Sequence, residues 1–280
     1  SYFFFHFKLK NTDKDPLNLV LETARPITNQ VELQNVITSE LFVTGDAIPF
    51  QRKSVAINIS AFSIVLNPGE EKEFVLKLHS DGESLIIPMV FRSKTTFEET
   101  QRENQLLFGL FLGIFIFTVV IYAAFFALLK DRLFLVYVIY VCFSGLLQFA
   151  LDGYLHQYIF SSGGYLTQHS TILIAGAAVL FALMYATNYL KLKGKYLKIS
   201  RAFMLLVGIT MVASLIPGIL YKVAYPIINL LSFGALVYIL FAGFKMYKNG
   251  KVSSFFIIGL GSIVAGGIIF LLGNIGIIDA

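Results

Sequence analysis

The groups that could carry chemistry are few and mostly isolated. Four His, one Cys and no Trp occur among 280 residues. His6 and His79 fall in strand-patterned runs without an acidic or nucleophilic partner at recognisable spacing, and are expected as exposed strand residues. Asp152, His156 and His169 share one segment, but their spacing matches no standard ligand set, so no metal is expected. Cys142 sits in an apolar run and is expected to pack as a small hydrophobe. A lone Cys excludes a disulfide framework and a thiolate cage. Neither catalysis nor a cofactor is expected. What remains is recognition. Without Trp, only Tyr or Phe can offer a stacking surface, and Tyr2 and Phe4 are candidates. Asp152, Tyr154 and Gln157 are candidates in the polar segment 152–169, which is expected to cap the helices and contact the strand-rich part. Asn58-Ile59-Ser60 fits a glycosylation sequon, a pattern common by chance.

The elements that must position these groups divide the chain in two. It is 56% hydrophobic and 14% charged, with a mean hydropathy of +0.74, too apolar for an ordinary soluble domain. Residues 1–104 carry a net charge of −3 and residues 105–280 one of +8. The basic pI of 9.1 therefore reports membrane topology, and no nucleic acid is expected as a partner. Six apolar runs, 106–129, 133–151, 170–190, 202–220, 223–244 and 252–278, lack Asp, Glu, Lys, Arg and His. Each is near or above the ~20 residues needed to cross a bilayer. Spans without ionisable groups argue against ion pumps, proton-coupled transporters and intramembrane proteases. Their neutral polar residues, Thr118, Ser144, Gln148, Asn188, Asn229 and Ser232, are expected to bond between helices, and Gly109 and Gly113 form a GxxxG.

Ten Lys and Arg cluster behind the odd-numbered runs and one, Lys222, behind the even-numbered ones. The positive-inside rule then puts the N-terminal part outside a cytoplasmic membrane. The chain starts without Met and has no signal peptide, so it reads as a fragment. An even span number leaves both ends outside, so a seventh helix is expected to follow.

Residues 1–93 alternate with period two. Phe3, Phe5, Phe7 and Leu9 share a face, and the pattern recurs at Val31 and Leu33, at Val55, Ile57 and Ile59, at Phe74, Leu76 and Leu78, and at Leu85, Ile87, Met89 and Phe91. Turn signals include Asn11–Pro16, Asn67-Pro68-Gly69 and Ser80-Asp81-Gly82. The spacing predicts an antiparallel, jelly-roll-like β-sandwich of seven or eight strands, with Pro88 at an edge strand or bulge. The fold class expected is thus an α+β membrane protein: sandwich, then polytopic helical bundle. Residues 94–105 join the halves. Thr96 and Glu99 fit a capping box, which starts a helix near Phe97 and couples the sandwich stiffly to the first span.

The run ending Leu128-Leu129-Lys130-Asp131-Arg132, then Tyr137-Val138-Ile139-Tyr140, then Gly145–Tyr158, resembles the bacterial seven-transmembrane receptors with diverse intracellular signalling modules (7TMR-DISM). Thr44–Phe50 and Leu85-Ile86-Ile87-Pro88 resemble that family's extracellular sandwich of the second type (7TMR-DISMED2). The resemblance implies a sensor in a bacterial inner membrane. Its sandwich would receive an extracytoplasmic ligand, such as a carbohydrate or related small molecule. Its helices would relay the event to a cytoplasmic signalling module beyond residue 280, for example a histidine kinase or nucleotide cyclase. The lipid bilayer is the other partner, and a homodimer follows by analogy with such outputs. Two other readings remain open at this point: a transporter or permease with a β accessory domain, and a membrane-anchored envelope scaffold.

Overall fold

A computed structural model describes residues 2–23, 25–80, 88–250 and 253–274. Two antiparallel sheets form the N-terminal part. One runs β1 (Tyr2–Lys10), β6 (Glu71–His79), β3 (Gln30–Asn35), β4 (Leu41–Thr44). The other runs β5 (Ala61–Leu66), β2 (Leu17–Thr23), β7 (Met89–Ser93). Alternation makes each sheet two-sided. Leu21, Phe62, Ile64 and Leu66 of the second sheet meet Val31, Leu33, Phe74, Leu76 and Leu78 of the first in one buried core, which makes the pair a sandwich. Each such side chain contributes ~1.5–3 kcal/mol by leaving water. On β1, Phe7 and Leu9 pack on that core, while Phe3 and Phe5, expected on the same face, stay exposed. Pro88 directly precedes β7, which ends the described order of its sheet. Asp81, Gly82, Leu85, Ile86 and Ile87 lie outside the described residues.

The run Val55–Ile59, expected as a strand, is not one. The buried Lys53 ammonium donates to the Ile57 carbonyl at 2.7 Å and the Ile59 carbonyl at 3.0 Å. It thereby takes two acceptors that a ladder would need. Ser54 closes the segment onto β4 through Val43, and the segment becomes a loop before β5.

Among the described residues seven helices follow: α1 (Lys94–Leu129), α2 (Arg132–Leu151), α3 (Tyr154–Tyr158), α4 (Tyr165–Tyr189), α5 (Gly194–Ser214), α6 (Ile219–Lys248) and α7 (Ser254–Asn274). Five of them, α1, α2, α4, α5 and α6, are long and apolar enough to cross a membrane. The sixth expected span maps to α7, whose stretch Phe256–Gly266 is shorter, and its end at residues 275–278 lies outside the described residues. The fourth is displaced: α5 stops at Ser214, before Pro217, because proline has no amide hydrogen to continue a helix.

The chain packs as two compact units: residues 1–116 with 145–171, and residues 117–144 with 172–280. In the second, Leu183, Ala186 and Leu190 pack on Ala235, Tyr238, Ile239 and Ala242 of α6. Interhelical hydrogen bonds there join the Thr187 and Ser200 hydroxyls at 2.6 Å and run from the Tyr238 hydroxyl to the Tyr196 carbonyl at 2.5 Å. Ser232, expected to bond between helices, instead donates to the Ile228 carbonyl of its own helix at 2.6 Å, the back-bond a hydroxyl makes within one turn. Cys142 is exposed on α2, not packed. Around Gly109 and Gly113 no atom stands within 4 Å of where a Cβ would be, so neither marks a close approach. Such approaches occur at Gly145, under the Phe115 ring, and at Gly176, under Met211.

Candidate functional site

Within the first unit, a cleft of about 440 Å³ opens beside the start of α1. Its volume suits a small molecule. Pro26, Asn58 and Ile59 of the sandwich loops form one wall, and Gln148, Asp152 and Tyr154 form another. The third wall is α1, through Gln101, Asn104, Leu107, Phe108 and Phe111. The steps from 101 to 104 to 108 to 111 are three, four and three residues, the spacing that keeps side chains on one helix face. Phe108 lies 4.1 Å from the Tyr154 ring and 5.9 Å from that of Phe149, centroid to centroid.

Local structure fixes each wall. Strand β7 passes into α1 without a loop. The Ser93 hydroxyl accepts the Thr96 amide at 3.2 Å, which makes Ser93 the cap and places Thr96 inside the first turn. The cap therefore lies three residues before the expected capping box, and Glu99, on α1, takes no part in it. Phe97 is buried against Val20 and Ala61, pinning that turn to the sandwich. The opposite wall is tied by Asn58, whose side-chain amide donates to the Asp152 carbonyl at 2.8 Å. Gly153 follows at φ +79°, and a Cβ there would run into the Asn58 carbonyl. Only glycine serves this turn and this close approach. The Phe50 amide donates to the Ser161 carbonyl at 2.8 Å, and the His156 ring stands edge-on to Phe50 at 5.7 Å. The segment 152–169 thus does contact the sandwich. Asn58, the sequon residue, is committed to this contact, and Ser60 is buried.

Among the described residues Asp152 is the only formally charged one lining the cleft. Burial pushes its carboxyl up from the ordinary value, and the Gln148 amide, 3.0 Å from each carboxylate oxygen, works against that shift. Among the described residues no cation pairs with it. Burial raises the Tyr154 hydroxyl too, and the Asp152 charge adds to this. Behind the cleft wall, burial and the Lys53 charge lower His156 to about 4, despite a hydrogen bond with the Ile48 backbone. Burial likewise lowers Lys53 to about 8, opposed by Asp46.

Of the five candidate ligand residues, Asp152 and Tyr154 line the cleft and Gln157, on α3, does not. Tyr2 and Phe4 stand on β1, 59% and 64% exposed. Tyr2 stacks on His79 at 4.4 Å, with the Lys77 ammonium 5.3 Å from its ring centre. They form a separate surface on the outer face of the first sheet. Sequence reasoning missed Asn58, Gln101, Asn104, Phe108 and Phe111. The three-four-three spacing of polar then aromatic residues on α1 was the available signal. Among the described residues no cluster of three His, Cys, Asp or Glu is placed to hold a metal.

Comparison with known proteins gives two matches. A family model described as 7TM diverse intracellular signalling covers residues 104–280, and one described as 7TMR-DISM extracellular 2 covers residues 1–93. No curated protein matches the chain, and no solved structure does.

Proposed function

Because the chain belongs to the 7TM diverse intracellular signalling family of multi-pass membrane proteins, we propose that it senses a small extracytoplasmic molecule in the cleft and passes the event along α1. The observation that carries this reading is the composition of the walls. One occupant would touch sandwich loops, α1, and the segment following α2 together, so it would favour one arrangement of these elements over another. A difference of about 1–3 kcal/mol between two arrangements is typical of such coupling. The unbroken join of β7 to α1 supports a stiff link, since a flexible tether transmits no displacement. The ten cations behind odd-numbered runs support a bacterial inner-membrane placement with the sandwich outside. Output would come from a cytoplasmic signalling module of the receptor, in a homodimer where that module works as one.

Two Gly inserted in α1 between Leu112 and Gly113, past Phe111, the last cleft-lining residue of that helix, test the link. Ligand binding should persist while the receptor's output no longer responds. An unchanged response would contradict the proposal.

A further inference from the structure

We infer that the cleft takes a small amphipathic organic cation, an aryl- or alkylammonium whose charged end sits on Asp152 and whose apolar part lies over Phe108 and Phe111. The inference rests on the sensory reading above and adds a ligand class to it. Three observations carry it. First, the cleft contains one negative charge and no Lys, Arg or His among its described lining residues. An anion would meet Asp152 with nothing to offset it. Second, that carboxylate accepts the Gln148 amide and has no cation beside it among the described residues. A carboxylate has about four acceptor positions, so room for donors remains. A neutral sugar could fill those positions but would leave the charge uncompensated. Third, polarity is graded along the α1 wall: Gln101 and Asn104 come first, then Phe108 and Phe111. A ligand matched to that wall is polar at one end and apolar at the other.

The test uses the whole chain in lipid nanodiscs and four probes: 2-phenylethylammonium, 2-phenylethanol and 3-phenylpropionate, which are nearly equal in shape, and maltose. Binding is read by calorimetry. The ammonium should bind about tenfold to hundredfold more tightly than the alcohol, the worth of a hydrogen bond to a charged group, and the propionate should be weakest. Asp152→Asn should bring the ammonium down to the alcohol's affinity and leave the alcohol unchanged. Asn104→Lys, at an exposed position, should expel the ammonium selectively, which keeps the test open if the first variant fails to fold. Equal binding of ammonium and alcohol, or an Asp152→Asn variant that keeps the preference, would overturn the inference. If the alcohol or maltose binds equally well and Phe108→Ala abolishes that binding, the ligand class is wrong while the cleft stays a binding site, as the sensory reading requires. If none of these probes binds in a manner sensitive to Phe108→Ala, the cation assignment falls together with the cleft.

Discussion

Two residues behind the cleft carry more than their size suggests. Gly153 holds a positive φ directly under the Asn58 carbonyl, so Gly153→Ala meets both backbone strain and a clash. A loss of about 1–3 kcal/mol is expected, read as a lower unfolding midpoint of the detergent-solubilised chain. His156 makes the pH prediction. Its folded pKa is about 4 against an ordinary 6.5, so the unfolded chain binds a proton that the folded chain refuses. The stability tied to neutral His156 is therefore complete above pH 6.5. It falls as pH drops from 6.5 toward about 4, and is constant below that. His156→Gln should flatten the slope of melting temperature against pH across that window. A variant with the wild-type slope would show that other groups carry it. Lys53, the charged neighbour facing His156 from the sandwich side, titrates near 8 and stays protonated throughout the window.

At the scale of elements, the join between β7 and α1 is where sandwich and helix meet through the backbone. Phe97→Ala should destabilise by ~3–5 kcal/mol, the usual cost of emptying a buried aromatic site, whereas Ser93→Ala should cost ~1 kcal/mol as a lost cap. Chemical denaturation followed by circular dichroism separates the two. A Phe97→Ala effect no larger than that of Ser93→Ala would mean that the first turn is not pinned. The elements also show which parts of the fold were legible in the sequence. Alternating runs such as Phe74–Leu78 and charge-free runs such as 106–129 carry their own periodicity and length, and both are found as elements. The run Val55–Ile59 alternates equally well yet is a loop, because Lys53 outside it takes its carbonyls. The helix cap shifted to Ser93 for a similar reason. Thr96 and Glu99 satisfy a local pattern, but β7 ends at Ser93 and leaves its hydroxyl free to cap. In the cleft, Asp152 and Tyr154 stand out in the sequence as polar groups beside an apolar run. Asn58 and Phe108 do not, since their role depends on contacts between segments far apart in sequence.

The whole molecule is a membrane protein whose two matched regions, residues 1–93 and 104–280, cover nearly all of it. A sensor of an extracytoplasmic molecule needs its sandwich outside the cytoplasm, and the ten Lys and Arg behind the odd-numbered runs support that placement. The most direct test places single cysteines in a Cys142→Ser background. Val65→Cys lies on an exposed sandwich position, and Lys193→Cys lies in the cation-rich segment between α4 and α5. A membrane-impermeant maleimide added to intact cells, with any outer barrier opened, should label the variant at 65 and spare the one at 193 until the membrane is lysed. Labelling at 193 with protection at 65 would contradict the account.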